Sequence, residues 1–364
     1  MSRFLIFLFF LLNPFSLLAQ ARTADLSSPI DERGKPELVV CSQNLENYGS
    51  LDDVHRREKQ MTKTLLAEKE AALVKRFLKA KCDVIAVQEL LGATQAKAKA
   101  ALEHLAKVIQ YRSNRVFHVY AGPTNSKISR NGYLVAADVG EVVNTLSYAR
   151  VELPKISEEQ KPREFVRGPY ELQIQVNAKG DTGSKLVTLV NFHLKSKAFN
   201  SKDPTELEWE TLRMEMAEAI RRIVLRRHEE SFASGESLLV VLGDRNSNFD
   251  AASARILTGE LTLQHFQGAA PCRLNKRGVP LCAPGVALPA KLFSVLIGDE
   301  RLRMRPGTYQ YEKTFSWLDE ILVPAETIGF ATERVGVEGR YLGGVYYEPE
   351  EASDHALVAV GLNW

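Results

Sequence analysis

Short apolar runs that stop on a polar residue recur along this chain. The run 38–41 leads into Gln43-Asn44, the run 84–87 into Gln88-Glu89, the run 186–192 into His193, and the run 238–242 into Gly243-Asp244-Arg245-Asn246. A fifth run, 357–360, follows Ser353-Asp354-His355 instead of preceding it. Runs of this length, rich in β-branched residues, predict buried strands. An acid, amide or imidazole at the end of each gathers at one rim of a sheet. Carboxylates, an amide and two histidines at one rim are what metal-assisted phosphate chemistry needs.

Between these runs the period changes. Leu65, Leu66, Ala72, Leu73, Val74 and Leu78 make an apolar stripe that predicts a helix over about 54–81. A second helix is predicted over 94–110, with Thr94 as its N-cap, and a third over 205–228. Shorter strands are predicted at 116–120, 133–139, 172–176 and 321–323. The stretch 249–311 mixes Gly and Pro with little period and predicts an irregular insertion. Interspersed helices and strands, with several strands adjacent, predict an α+β chain with two sheets and covering helices.

The N-terminus carries a targeting pattern. Arg3 precedes an apolar run over 4–12, Asn13-Pro14 breaks it, and Ala19-Gln20-Ala21 is a small-x-small cleavage site. This predicts a signal peptide over 1–21, a polar lead-in over 22–36 and a single domain over 37–364. No other segment approaches the ~18 apolar residues of a membrane span. No stable membrane insertion is expected, and the mature chain is expected to be secreted or periplasmic.

Composition adds limits. The 364 residues are 45% hydrophobic and 25% charged, ordinary for a globular protein. The formal charge of +2 is not that of a stable nucleic-acid binder; a transient enzyme on a polyanion needs only a local basic patch. Of the four cysteines, Cys272 and Cys282 flank a loop-like stretch and are the expected disulfide. Cys41 and Cys82 lie in or beside apolar runs and are expected to be small buried hydrophobes. No CxxC or Cys/His grouping suggests zinc.

Several polar residues are candidates for chemistry. Glu89 closes an apolar run, so its carboxylate needs a cation or a donor to offset desolvation. Hard oxygen ligands of this kind suit Mg²⁺ or Mn²⁺. His193 ends a run and precedes Lys195 and Lys197. Asp244 and Asn246 are two apart and face the same way on an extended segment. The carboxylate there is placed to accept a proton from water. Asp319 opens one strand and His355 another; an Asp bonded to a His fixes the tautomer and raises its basicity.

Taken in order, CSQNLENYG, CDVIAVQEL, NFHLKSK, VVLGDRNSN, WLDEILV and SDHALVAV resemble the motifs of the endonuclease/exonuclease/phosphatase superfamily. That resemblance implies a four-layer αββα sandwich of two packed mixed sheets flanked by helices. It implies a divalent cation, Mg²⁺ with Mn²⁺ or Ca²⁺ as alternatives, at a site including Asn44, Glu89 and Asp354. It implies catalytic roles for His193, Asp244, Asn246, Asp319 and His355. Arg167 resembles a phosphate-contacting arginine of the deoxyribonuclease branch and, with Lys195 and Lys197, is expected to bind substrate. The implied activity is a metal-dependent endonuclease on DNA or RNA, with the chain a monomer and the nucleic acid its partner. A sphingomyelinase-like lipid phosphodiesterase and an inositol or sugar phosphate phosphatase are the alternatives. One departure stands out. Arg245 occupies a position the family usually gives to a hydrophobic residue, and strand alternation is expected to turn it away from Asp244 and Asn246 toward an acid behind the site. The Pro common soon after this Asn is also absent.

Overall fold

The computed structural model describes residues 36–364 except 158, 178–182, 198–206, 267–272, 275–279, 282–290, 299–306, 312–313 and 328–342. The expected signal peptide, almost all of the lead-in and the expected Cys272–Cys282 pair lie outside these residues. The described strands are β1 (Leu38–Tyr48), β2 (Val84–Leu91), β3 (Phe117–Ala121), β4 (Ser129–Ala136), β5 (Gly140–Ser147), β6 (Tyr170–Val176), β7 (Lys185–His193), β8 (Ser237–Asp244), β9 (Arg273–Leu274), β10 (Pro280–Leu281), β11 (Leu292–Ser294), β12 (Tyr309–Tyr311), β13 (Thr314–Ser316), β14 (Asp319–Pro324), β15 (Gly343–Tyr346) and β16 (Leu357–Leu362). The described α-helices are α1 (Leu51–His55), α2 (Lys63–Lys79), α3 (Gln95–Ser113), α4 (Leu207–Ala233) and α5 (Ala252–Thr258).

Two six-stranded mixed sheets form, in the orders β15-β16-β1-β2-β4-β3 and β11-β14-β8-β7-β6-β5. Strand β8 shows why both of its faces are covered. Leu238, Val240 and Leu242 join the apolar cluster between the sheets. Leu239 and Val241 join the cluster formed with Met216, Ile220 and Val224 of α4. A two-residue period with apolar groups at every position demands a layer on each side. Helices α2 and α3 cover the other sheet through Leu73, Phe77, Leu102 and Leu105. The result is the four-layer α+β sandwich.

Several polar groups cross the inter-sheet layer and bond to the facing sheet. Asn191 of β7 donates to the Val87 and Gly132 carbonyls, both at 3.0 Å, and accepts from Gln88 Nε2 at 2.8 Å. Tyr133 of β4 donates to the Tyr170 carbonyl at 2.8 Å. These bonds set one sheet against the other close to the rim where the polar strand ends meet.

Three expectations change. The helix expected over 54–81 is two helices, because 56–60 carries no apolar position and Thr62 caps a new start, its Oγ1 accepting from Leu65 N at 3.2 Å. The α3 start is as expected, with Thr94 capping Lys97 N. Strand β5 was not anticipated; half of its side chains are exposed at a sheet edge, so its apolar pattern is weak. Cys41 and Cys82 are buried, but as a disulfide with Cα atoms 5.9 Å apart. Parallel pairing of β1 with β2 brings together two residues 41 apart in sequence.

Candidate active site

Strand direction explains why the polar residues converge. Strands β1 and β2 run parallel, as do β7 and β8. Their C-terminal ends carry Asn44, Glu89, His193 and Asp244. The antiparallel β14 begins beside the end of β8, pairing Asp319 with Asp244. Strand β16 begins beside β1, so His355 just before it reaches the same rim. His193 and Asp244 are direct register partners.

The backbone is bent where these side chains emerge. Glu46, Asn47, Glu89 and Asn246 all have positive φ, of 48°, 59°, 57° and 53°. Asn tolerates this region, whereas a Glu there costs on the order of 1 kcal/mol. Gly243 has φ +146°, and a Cβ there would lie 1.9 Å from the Phe192 carbonyl oxygen. The glycine before Asp244 is therefore required by the close approach of β7.

Asp244 is the hub. Its Oδ1 accepts from Asn246 N at 2.7 Å, and its Oδ2 accepts from Asn246 Nδ2 and Asn44 Nδ2, each at 3.0 Å. His193 Nε2 lies 3.4 Å and His355 Nε2 3.9 Å from that same Oδ2. Burial pushes the Asp244 carboxyl up to about 6, with Asp319 and Glu89 adding to the shift and His355 opposing it.

The two histidines are in opposite states. His355 Nδ1 is 2.8 Å from Asp319 Oδ2. Burial works against its charge, but Asp319 and Asp244 overrule burial and hold its pKa up to about 10. The Asp319 backbone is itself fixed, its N donating to Thr308 Oγ1 at 3.0 Å. His193 is fully buried and pushed well below its usual value, first by burial and then by Arg167, His355 and Lys195. Neither of its ring nitrogens makes a hydrogen bond, although both are buried.

Carboxylates crowd the rim. Asp354 is exposed at the residue level, yet its carboxyl lies close enough to protein atoms that desolvation, joined by Glu46 and Glu89 and opposed by His355, pushes it up to about 7. Glu89 Oε2 accepts from Asn47 N at 3.1 Å, and Asn44 Oδ1 accepts from Glu46 N at 2.9 Å. Mutual repulsion among Glu46, Glu89 and Asp354 is what a divalent cation relieves, and all offer hard oxygens. Deeper in, ligand atoms of Asp244, Asp319 and His355 lie within 4.8 Å of one another. The donor chemistry of these residues fits a divalent metal site, although His355 Nδ1 already faces Asp319.

Arg167 donates Nη2 to the Leu194 carbonyl at 2.6 Å and interacts with the charges of Glu89 and Asp244. Lys195 Nζ lies over the Trp209 ring at 4.2 Å, and Lys197 is exposed. Arg245 does turn away from the cluster. It is buried and pairs with Glu320 through Nη1, while its Nη2 donates to the Trp317 carbonyl at 2.7 Å. Sequence reasoning did not single out Glu46, Thr308, Arg76 or Tyr309, whose ring packs against that of His355 at 4.7 Å. Of these, Arg76 had a usable signal, a cation on the apolar stripe of α2 between Leu73 and Phe77.

The fold recurs among solved structures. An endonuclease/exonuclease/phosphatase family protein from Leptotrichia buccalis C-1013-b is 14% identical, with 90% of this chain and 100% of that chain covered at a TM-score of 0.53. ANGEL2, a 2',3'-cyclic phosphatase, is 14% identical over 89% of this chain and 94% of its own, with a TM-score of 0.50. At such identities the likeness is one of fold. No family model matches the sequence, and no curated protein matches it.

Proposed function

We propose, for a chain with the fold of the endonuclease/exonuclease/phosphatase family, that it is a hydrolase of phosphate esters, and within that class a metal-dependent phosphodiesterase acting on nucleic acid outside the cytosol. The observation that carries the reading is the trio at the rim, in which Asp244 Oδ2 lies 3.9 Å from His355 Nε2 and 3.4 Å from His193 Nε2. An acceptor flanked by two donors matches what hydrolysis of a phosphodiester needs, namely a base for water and donors for the phosphate oxygens.

In this reading Asp244, ionised near neutral pH, takes a proton from the attacking water. Asn44 and Asn246 occupy part of its acceptor capacity and hold it in one orientation. His355, kept protonated by Asp319, gives a charge-assisted hydrogen bond to a phosphate oxygen. His193 gives a neutral one. Glu89 and Asp354, with Asn44 Oδ1, would hold a divalent cation such as Mg²⁺, which would supply Lewis-acid neutralisation of phosphate charge. Arg167, Lys195 and Lys197 supply positive charge for the flanking backbone. Export is supported by the Cys41–Cys82 bridge, since disulfides persist in oxidising compartments.

The test is one substrate panel with purified protein and Mg²⁺. It holds supercoiled plasmid, single-stranded RNA, adenosine 2',3'-cyclic phosphate, sphingomyelin vesicles and inositol phosphates. Cleavage of plasmid or RNA, abolished by EDTA, is the expected result. Turnover confined to the cyclic phosphate, the lipid or the monoesters would move the protein to another branch of phosphoesterases.

A further inference from the structure

We infer that Arg76 is a positioning residue for the hydrolytic centre: it holds His355 and the segment before it against β1. The inference deepens the phosphodiesterase reading and rests on it for its kinetic consequences. Arg76 lies on α2 and is 1% exposed. Its Nη1 donates to Gln43 Oε1 at 2.9 Å and to the His355 carbonyl at 2.7 Å. Its Nη2 donates to the Tyr347 and Pro349 carbonyls, the latter at 2.8 Å. One guanidinium therefore joins three separate stretches of chain: β1 next to Asn44, the turn at 347–349, and the backbone of His355.

The surrounding bonds point the same way. Gln43 Nε2 also donates to the His355 carbonyl, at 3.2 Å, and to the Asn44 carbonyl, at 2.6 Å. Ser353 Oγ donates to the Asn44 carbonyl at 2.8 Å and accepts from His355 N at 3.1 Å. His355 is thus held at both its N–H and its carbonyl, and Asn44 and His355 are tied to each other from behind. Their side chains meet Asp244 in front. Burying a guanidinium is costly unless its donors are used. Here the Nη1 and Nη2 donors serve oxygens on the segments that carry the chemistry. A planar fork with five N–H donors can span these acceptors, whereas a lysine is a point charge with three. Two turns earlier on the same face of α2, Lys69 Nζ makes a similar link to the Glu46 carbonyl, at 2.7 Å.

A cavity of about 200 Å³ lined by Arg76, Tyr347, Asp354 and His355 borders the guanidinium. It gives a free guanidinium ion a route to the place that a truncated side chain leaves.

The experiment compares the parent protein with Arg76→Ala and Arg76→Lys on bis(p-nitrophenyl) phosphate with Mg²⁺, alongside imidazole NMR of histidine-labelled protein. Misplacing a catalytic group by about 1 Å costs on the order of 100-fold, so Arg76→Ala is expected to lose about that factor in kcat with KM little changed. Millimolar guanidinium chloride is expected to restore kcat, and methylammonium is not. The His355 ring signals are expected to move in Arg76→Ala and return with guanidinium, while those of exposed, remote His118 stay in place. Should Arg76→Ala not fold, Arg76→Lys is read the same way, with the His355 signals displaced and kcat reduced. Unmoved His355 signals, or turnover within about twofold of the parent, would overturn the assignment. A parent protein without phosphodiesterase activity would defeat the functional reading alone, because the imidazole signals decide the positioning role without substrate.

Discussion

Asn44 donates its Nδ2 to Asp244 Oδ2 at 3.0 Å, although the two residues lie 200 positions apart and on different sheets. That single bond joins the ends of β1 and β8 and makes the rim one site. It also means that the packing of the two sheets, and not either sheet alone, sets the geometry around Asp244. Residues that lock the sheets or the rim segments together are therefore expected to affect the proposed catalysis without touching substrate.

Arg245 and Glu320 form a buried pair behind Asp244 and Asp319. Burial raises the Glu320 carboxyl, and Arg245 opposes that shift. Breaking a buried pair by removing one partner typically costs about 3–5 kcal/mol, whereas replacing both with apolar groups is often neutral. Arg245→Met is expected to lower the melting temperature sharply. The double variant Arg245→Met/Glu320→Leu is expected to recover most of the loss. Thermal melts of the three proteins check this, and a double variant worse than the single one would rule out the pairing argument.

The Cys41–Cys82 bridge closes a loop of about 40 residues. Loop-closure entropy puts its stabilisation at about 4 kcal/mol, an upper figure because reduced chains retain structure. Cys82→Ala is expected to melt well below the parent under non-reducing conditions. Both sulfurs are buried, so dithiothreitol is expected to act only once the chain opens. A native-state digest without a Cys41–Cys82 linked peptide would refute the bridge.

The histidines give a pH signature. His355 binds its proton more tightly folded than unfolded, so its contribution to stability is fully present below about 6.5 and is lost as pH rises through about 10. The melting temperature of metal-free parent protein is expected to fall toward that of His355→Ala across this window. His193 titrates in the opposite direction and is expected to show neutral-ring signals by NMR at pH 6. A His355 ring that titrates near 6.5, or a charged His193 at pH 6, would contradict the electrostatics described.

Much of the site was legible because each residue closes or opens an apolar run, and chain direction carries such ends to one rim. Arg245 was legible for a similar reason, as alternation on an extended segment turns it from its neighbours. The Cys41–Cys82 bridge was not, since local sequence cannot show which strands pair in parallel. Arg76 was marked only as a cation on the apolar stripe of α2, and its role was hidden for another reason. Its partners are mostly backbone carbonyls up to 279 positions away, which leave no mark on composition. The break before α2 depended on a capping Thr62 in a stretch whose flanks both look helical. Strand β5 is half exposed at a sheet edge and offers only a weak apolar pattern to read.

The most direct test of the site is the turnover of Asp244→Asn on a phosphodiester, with EDTA-treated parent beside it. The substitution keeps the shape of Asp244 but removes its charge and basicity. A positioned general base contributes about 10²–10⁴-fold. The account predicts a loss in that range for a variant whose circular dichroism and melting match the parent, and loss of parent activity in EDTA restored by Mg²⁺. Parent-like turnover by Asp244→Asn would contradict it.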